Sequence, residues 1–259
     1  MQPPCEPEKA LDELAGYLRN SRNILIITGA GISAESGLPT YRGIGGLYED
    51  RLTAENLEIE EVLSGEMMRQ NPRLTWTYIM EIEKACRGAK FNRAHRVIAE
   101  MEQRFERVWV LTQNIDGFHR DAGSRNVLDI HGDIHDLYCP DCEYRERVID
   151  FSHLNLPPRC PACGAVIRPD VILFGEFLDQ AKVARLRIEM RRGFDLVISI
   201  GTTSVFPYIS GPVHEARIRG IPAIEINPGM TEVSAQVSLK LTATAGEALT
   251  AAWERLKKA

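Results

Sequence analysis

Four cysteines form two closely spaced pairs in the middle of the 259-residue chain. Cys139 and Cys142 enclose Pro-Asp, and Cys160 and Cys163 enclose Pro-Ala. Each Cys-x-x-Cys pair places two thiolates on one tight turn, and two such turns can close a tetrahedral four-cysteine zinc site. Four sulfurs fill the coordination sphere, so the spacing predicts a structural zinc ion, with a redox function as the alternative.

A second group of residues suited to chemistry begins where an apolar run ends. The run Ile24–Thr28 is typical of a buried parallel strand, and it breaks at Gly29-Ala30-Gly31. Glycine permits a sharp turn and close approach of a ligand to the backbone. We expect Ser33 to cap a short helix whose first amides face a phosphate group. The spacing through Ala34 fits a relaxed dinucleotide fingerprint without the usual acid, and a plain tight turn is the alternative.

Polar or titratable residues follow four further strand candidates. They are Asn114 and Asp116, His131, the segment Gly201-Thr-Thr203, and Asn227. In an open α/β sheet the carboxyl ends of the strands share one ligand-binding edge, so these residues predict a single crevice. His131 is a candidate general base, and Asp116 could read a carboxamide. Taken singly, a structural histidine and an Asx turn at Asp-Gly are the alternatives.

Helical and strand patterns alternate along the chain and must position these residues. This alternation predicts an α/β fold with a doubly wound parallel sheet of the Rossmann type. A smaller domain is expected from two insertions, because residues 138–167 contain little apolar periodicity. The large domain is predicted at 1–43, 88–137 and 168–259, with the helical insert at 44–87. Predicted strands are Ile24–Thr28, Val108–Leu111, Val127–Ile130, Val171–Phe174, Asp195–Ile200 and Ala223–Ile226, and predicted helices are Leu11–Leu18, Ala94–Phe105, Val183–Met190, His214–Arg219 and Leu249–Leu256.

Composition and charge exclude some partners. The formal net charge of −5 provides no overall basic field, so we expect neither direct nucleic-acid binding nor attraction to anionic membranes. The segment Met1–Glu8 lacks the basic start and apolar centre of a signal peptide, and no apolar run approaches the length of a membrane span. We therefore expect a cytoplasmic protein with reduced cysteines.

These motifs together resemble the sirtuin family of NAD-dependent protein deacylases, in its bacterial form. The resemblance runs from Ile24 to Asn227 and includes Gly29–Arg42, Thr112–Asp116, His131-Gly132, the two cysteine pairs, Arg168–Val171 and Phe174–Glu176. It implies a Rossmann-type domain with a smaller zinc-ribbon plus helical domain formed by the two insertions. It also implies that NAD and an acylated lysine of a protein substrate enter the cleft between these domains from opposite sides.

The resemblance assigns roles to individual residues. His131 would be the general base, and Asn114 and Asp116 would act beside it in the nicotinamide pocket. The residues that would contact the substrate peptide are Val171, Phe174, Gly175, Glu176 and Val205. The peptide backbone would pair as an added strand with Gly175, Glu176 and the segment around Val205. The residues that would contact NAD are Gly29, Ala30, Gly31, Ile32, Ser33, Glu35, Ser36, Pro39, Thr40, Tyr41, Arg42, Gln113, Asn114, Ile115, Asp116, His131, Gly201, Thr202, Thr203, Asn227 and Ala245.

The implied reaction consumes NAD. The acyl-lysine carbonyl oxygen would attack the anomeric carbon of the nicotinamide ribose, and nicotinamide would leave. His131 would then take a proton from a ribose hydroxyl, whose oxygen would attack the acyl carbon. Lysine, nicotinamide and O-acyl-ADP-ribose would be the products. A mono-ADP-ribosyltransferase and a non-catalytic NAD-binding or zinc-ribbon module are the competing interpretations.

Two departures from the family pattern concern specificity. Family members that remove acidic acyl groups carry a Tyr-x-x-Arg pair in the helical insert, where this chain has Tyr78-Ile-Met-Glu81. A carboxylate in place of a cation disfavours succinyl and malonyl groups, so the resemblance implies a preference for neutral acyl groups such as acetyl. The segment Gly201–Pro207 is also one residue shorter than the common pattern. We expect a monomer.

Overall fold

A parallel sheet with helices on both faces forms the larger part of the protein. The computed structural model describes residues 7–39 and 52–258. Within these residues the strands, numbered in chain order, are β1 (Asn23–Thr28), β2 (Arg107–Thr112), β3 (Val127–Asp129), β4 (Gly132–Tyr138), β5 (Arg145–Arg147), β6 (Arg168–Val171), β7 (Leu196–Ile200), β8 (Ala223–Ile226) and β9 (Leu239–Leu241).

The parallel sheet has the order β3-β2-β1-β7-β8-β9. Thr28 at the end of β1 pairs with Thr112 on one side and with Ile200 on the other. Strands β2 and β3 therefore lie on one side of β1, and strands β7, β8 and β9 lie on the other. This reversal of strand order creates a crevice at the carboxyl ends of β1 and β7, the usual ligand site of a doubly wound sheet. The predicted fold class is confirmed.

Ten helices connect or cover the strands in the described part of the chain. They are α1 (Pro7–Arg19), α2 (Ala30–Ser33), α3 (Ile59–Val62), α4 (Gly65–Gln70), α5 (Pro72–Cys86), α6 (Arg93–Arg104), α7 (Phe118–Asp121), α8 (Gln180–Arg192), α9 (Pro207–Ile218) and α10 (Ala245–Lys258). None of these described helices combines the length and the apolar character needed to cross a membrane.

Successive residues of the central strands enter two different cores. Ile24 and Ile26 pack with α1, α6 and α10 on one face, whereas Leu25 and Ile27 pack with α8 and α9 on the other. Both faces are covered, which explains why the strand is apolar throughout instead of alternating with polar residues.

A third core joins the two insertions. Trp76 of α5 is fully buried and donates a hydrogen bond from its indole nitrogen to the carbonyl of Ile167, 2.9 Å away. Its ring meets Phe151 edge-on at 5.5 Å. The antiparallel sheet β5-β4-β6 contributes Ile134, Leu137 and Val171 to the same core. This core therefore includes strands on both sides of the segment 138–167.

Two of the predicted elements were wrong in extent or partner. The strand predicted at Val171–Phe174 is instead β6, which ends at Val171 and pairs antiparallel with β4 outside the parallel sheet. The residues after Val171 are apolar because Leu173 and Phe174 pack in the third core, although they do not belong to the strand. The helix predicted at His214–Arg219 is α9, which begins at Pro207 in a favourable first-turn position.

Candidate functional site

Glycines allow the ends of β1 and β7 to touch. The amide of Gly31 donates to the carbonyl of Gly201 over 2.8 Å, and the amide of Gly29 donates to that of Ile200. A Cβ atom on Gly31 would lie 2.6 Å from the Cα atom of Gly201, closer than real contacts allow. Gly201 itself has φ of +58°. A side chain at either position would push the two strand ends apart, so this approach depends on glycine.

Ser33 connects two strand ends and does not cap a helix as predicted. The helix α2 already begins at Ala30, and no side chain caps it. The Ser33 hydroxyl donates to Oδ2 of Asp116 at 2.7 Å and accepts from Nδ2 of Asn114 at 3.2 Å. These bonds tie the loop after β1 to the loop after β2, which lies beside it in the sheet.

Asp116 is both part of an Asx turn and a buried carboxylate beside a cavity. Its Oδ1 accepts from the amide of Phe118 at 3.0 Å, and its Oδ2 accepts from Ser33. Burial raises the pKa of Asp116, while the hydrogen bonds from Ser33 and Phe118 act in the opposite direction. The Asx turn and the ligand-reading interpretation therefore coexist, because the turn fixes a carboxylate that still faces the cavity.

A cavity of about 560 Å³ lies between the sheet edge and the inserts. Asn114, Ile115 and Asp116 line it from the loop after β2, and Ile82 and Cys86 line it from α5. Ile115, one of the expected NAD contacts, lines the cavity and also packs against the third core. The remaining lining residues are Ala30, Ser33, Leu38, Pro39, Glu83, Arg87, Gly88, Ala89, Lys90, Phe118, Asp121, Ile134, His135, Arg147, Val148 and Ile149.

His131 follows β3 and has both ring nitrogens engaged. Nδ1 lies 3.0 Å from the carbonyl oxygen of Gln113, which can only accept, so Nδ1 carries the hydrogen. Nε2 therefore presents a lone pair and accepts from the Tyr208 hydroxyl at 2.7 Å. Burial lowers the pKa of His131, so the ring is neutral near pH 7. A neutral imidazole with a fixed tautomer has the properties of a general base.

The other strand ends are linked to His131 through side-chain hydrogen bonds. Gln113 donates from Nε2 to Oγ1 of Thr202 at 2.7 Å. Asn227 donates from Nδ2 to the carbonyl of Thr202 at 3.1 Å, and the carbonyl of Thr203 accepts from the amide of Glu232. Asn114 donates from Nδ2 to the carbonyl of Gly29 at 3.1 Å. The structure thus joins all the predicted strand ends along one edge.

Several predicted NAD contacts have other partners in this structure. Glu35 accepts from the amide of Gly246 at 2.6 Å and from the Thr244 hydroxyl at 3.0 Å, which ties the first loop to the start of α10. Ala245, predicted to border the adenine, is buried at that helix start. The Ile32 side chain is fully buried in the sheet core, and Ser36 accepts from Nδ2 of Asn92. Thr40, Tyr41 and Arg42 lie outside the described residues.

The predicted peptide-binding residues are partly used within the chain. The amide of Phe174 donates to Leu63 and its carbonyl accepts from Gly65, both at 3.0 Å. These two backbone groups of Phe174 are therefore paired within the chain. Val171 pairs with Gly132 in the small sheet. Glu176 is held by Arg168 at 2.6 and 2.8 Å, whereas Gly175 has a positive φ and Val205 is half exposed.

The four cysteines form a compact cluster. Their Sγ atoms all lie within 4.8 Å of one another, with 3.4 Å between Cys139 and Cys163 and 3.5 Å between Cys142 and Cys160. Tetrahedral coordination at a Zn–S distance of about 2.3 Å places sulfurs about 3.8 Å apart, so the donor set fits zinc. It is the single cluster of this kind among the residues that the structure describes.

Sequence reasoning missed some residues near the site. Tyr208 reaches His131 from a distant part of the chain, and no periodic pattern marks it. Ile82, Glu83 and Cys86 line the cavity, and apolar spacing along α5 could have indicated the first of them. The Tyr78 hydroxyl instead donates to Glu55, Glu81 is exposed, and neither is among the described residues that line the cavity. The acid of α5 that does line the cavity is Glu83, which is paired with Arg87.

Comparison with known proteins agrees with this geometry. The model of the Sir2 family matches residues 29–207, which contain the glycine turn, His131 and all four cysteines of the cluster. The chain belongs to the Sir2 family. It is similar to NAD-dependent protein deacylase 2 of Pseudomonas aeruginosa, with 49% identity over 90% of this chain and 91% of the relative. The corresponding protein of Pseudomonas syringae pv. tomato is 45% identical, over 92% and 96%.

Solved structures of Sir2 proteins share the fold. A Sir2 homologue in complex with NAD has a TM-score of 0.84 and 31% identity, over 95% of this chain and 94% of that chain. A Sir2 protein bound to a deacetylated p53 peptide and 3'-O-acetyl ADP-ribose has a TM-score of 0.83 and 29% identity, over 95% and 98%.

Proposed function

We propose that this Sir2 protein is an NAD-dependent protein-lysine deacylase that transfers the acyl group to ADP-ribose. The observation that carries this proposal is His131, a neutral imidazole with a fixed tautomer that bonds Gln113, the residue before Asn114 at the same edge of the sheet. Such a base is needed for acyl transfer and has no purpose in a protein that only binds NAD. Relatives named NAD-dependent protein deacylase, similar over nine tenths of the chain, support the assignment.

Roles can be proposed for the residues around the cavity. Asn114 and Asp116 would hold the nicotinamide carboxamide, with Ile115 against the ring, because they line the cavity and are fixed by Ser33 and Gly29. Gly31, Gly201, Thr202 and Asn227 would hold the phosphates and the adenosine half at the β1–β7 crevice. Arg42 and its neighbours Thr40 and Tyr41 would contact the ribose side.

The proposed reaction uses the chain's own groups for positioning and for one proton transfer. The acyl-lysine carbonyl oxygen attacks the anomeric carbon as nicotinamide leaves. The Nε2 atom of His131 then takes the proton of a ribose hydroxyl, and the electron pair stays on the ribose oxygen, which attacks the acyl carbon. The bond from the acyl carbon to the lysine nitrogen breaks, the lysine amine leaves with a proton, and addition of one water molecule completes O-acyl-ADP-ribose. The Gln113 carbonyl supports the imidazolium that forms, because it accepts the Nδ1 hydrogen. NAD is therefore a consumed substrate.

Zinc fits the protein as a structural ion. Cys139, Cys142, Cys160 and Cys163 would hold it, and the bound ion would fasten two turns of the smaller sheet region. Since four sulfurs complete its coordination, the zinc would take no part in the reaction.

We also propose a two-domain division with insertions at residues 44–87 and 138–167, a cytoplasmic location and a monomeric state. All three agree with the sequence. The preference for neutral acyl groups rested on Glu81, which does not line the cavity among the described residues. Glu83, Asp116 and Asp121 line it together with Arg87, Lys90 and Arg147, so acids and cations are equal in number and the lining adds no further support for this preference.

A panel of acyl-lysine peptides assayed with NAD tests this function and its specificity together. Acetyl, propionyl, butyryl, malonyl and succinyl peptides of one sequence would be compared for peptide-dependent nicotinamide release. We expect release with the neutral acyl groups and much lower kcat/KM with the two acidic ones. Equal turnover of succinyl and acetyl peptides would refute the specificity, and no peptide-dependent release would refute the function.

A further inference from the structure

The nitrogen of His131 that must accept a proton already has a partner in the free protein. The Gln113 carbonyl fixes the hydrogen on Nδ1, so the single lone pair of the ring is on Nε2. The hydroxyl of Tyr208 lies 2.7 Å from Nε2 and donates to it. One lone pair accepts one strong hydrogen bond, so a ribose hydroxyl and Tyr208 must compete for the same atom.

The Tyr208 ring is held in place by its surroundings. It is the second residue of α9, directly after Pro207, whose ring fixes the helix start. Phe206 stacks on it with 5.4 Å between ring centroids and 12° between planes. Burial raises the pKa of Tyr208 to about 12, so the phenol keeps its proton and acts as a donor toward Nε2. Val205, which precedes Phe206 in the chain, is 51% exposed.

We propose that Tyr208 is an internal competitor in the acyl-transfer step, which occupies Nε2 of His131 in the free protein and yields that position to the ribose hydroxyl. This inference rests on the proposed function. When the exchange has occurred, the ribose O–H bond breaks, its proton passes to Nε2, and the electron pair remains on the ribose oxygen. Tyr208 keeps its own proton throughout and is neither an acid nor a base in the step.

The groups around His131 determine whether removal of the Tyr208 hydroxyl raises or lowers the pKa of His131. The ammonium of Lys182 on α8, which is paired with Asp129 at 2.9 Å, opposes protonation of His131. The Gln113 carbonyl favours protonation. A hydrogen bond donated by Tyr208 stabilises the neutral ring, so it also opposes protonation. Removal of the hydroxyl should therefore raise the pKa of His131.

The first test measures this pKa directly in the substrate-free protein. The ring protons of His131 are followed by NMR between pH 5 and pH 8 and assigned by their loss in His131→Ala. In Tyr208→Phe, which keeps the stacked ring, we expect the midpoint to rise by about half to one pH unit. Tyr144→Phe removes an exposed hydroxyl bonded to Glu146 and is the matched control, with no expected change.

The second test compares two steps of the reaction. Exchange of labelled nicotinamide into NAD reports the step before His131 acts, and acyl-ADP-ribose formation reports the step after it. At pH 8, Tyr208→Phe should keep exchange within about twofold of the unchanged protein and raise the ratio of acyl transfer to exchange several-fold. A conformational defect would lower both rates together.

The outcomes separate this inference from the proposed function. Coincident His131 titrations in the two proteins, or an equal loss of exchange and transfer, would overturn the inference while the deacylase function stands. Loss of transfer at pH 8 with intact exchange would also overturn it, because a competitor for Nε2 cannot be required. If the unchanged protein itself released no nicotinamide, the function would fail, and the NMR titration would still decide whether Tyr208 holds Nε2.

Discussion

At the scale of single residues, the neighbours of His131 determine its chemistry more than its own type does. A histidine near the sheet edge can be structural, and His119 of α7 is such a case, since it is buried and bonds Thr28 at the end of β1. His131 differs because the Gln113 carbonyl fixes one nitrogen and the other faces a hydroxyl that can be exchanged. The sequence could nominate the residue, but these contacts join positions 18 and 77 residues apart and emerge only in the fold.

We predict that His131→Ala separates the two halves of the reaction. Without a base, acyl transfer should fall by about 10²- to 10⁴-fold, whereas nicotinamide exchange, which precedes the proton transfer, should persist. His153→Ala removes an exposed histidine and is the control. Measurement of nicotinamide exchange and of acyl-ADP-ribose in the same reactions checks this prediction. Unchanged acyl transfer in His131→Ala would show that another group is the base.

The lowered pKa of His131 predicts how the rate of acyl transfer depends on pH. Burial places the pKa of His131 below the ordinary value of about 6.5, so the base is neutral at pH 7 and above. Acyl transfer should be constant on that side and fall only as the pH drops below about 6.5. A rate profile of acyl transfer from pH 5 to pH 8 measures this limb. A limb centred above pH 7 would contradict the lowered pKa.

At the scale of elements, the crevice depends on how closely β1 and β7 approach. The apolar run of β1 and the glycines after it could be recognised in the sequence because each has a direct local cause. The antiparallel sheet could not, because β6 reads as Arg-Pro-Asp-Val with charged residues on its outer face. Its pairing with β4 depends on tertiary packing, and no local pattern in these four residues indicates it.

We predict that Gly31→Ala damages this approach. The added Cβ atom would meet the Cα atom of Gly201 at 2.6 Å, so the strand ends must separate, with a loss of stability of about 1–3 kcal/mol and a higher KM for NAD. Gly16→Ala is the matched control, because its Cβ atom meets nothing within 4 Å and alanine favours the helix interior by about 0.5–1 kcal/mol. Urea unfolding and NAD titration of the activity compare the two variants. Equal stability of the two would refute the contact.

A second prediction for the elements concerns the four cysteines. Cys142→Ser should lose bound zinc and, with it, stability, because the bound ion would link the two turns that carry the four sulfurs. Cys86→Ser, outside the cluster, should keep the metal. Elemental analysis and thermal unfolding measure both effects. A Cys142→Ser protein with full zinc content and unchanged Tm would show that the cluster does not hold the ion.

At the scale of the whole molecule, the edge of the parallel sheet and the third core meet at one cavity. The alternation of helices and strands, the polar strand ends and the paired cysteines could be predicted because each depends on a few neighbouring residues of characteristic type. The cavity walls could not, since Ile82 and Cys86 come from α5 and Val148 from the other insert. The sequence also could not distinguish Glu35 from the neighbouring expected NAD contacts, although Glu35 accepts a hydrogen bond at the start of α10.

The most direct test of the account is to identify the product that receives the acyl group. The protein would be incubated with NAD and an acetyl-lysine peptide, and all products would be quantified by mass spectrometry. We expect nicotinamide, deacetylated peptide and O-acetyl-ADP-ribose in equal amounts. Transfer of ADP-ribose to protein, or free acetate without O-acetyl-ADP-ribose, would contradict the proposed acyl transfer.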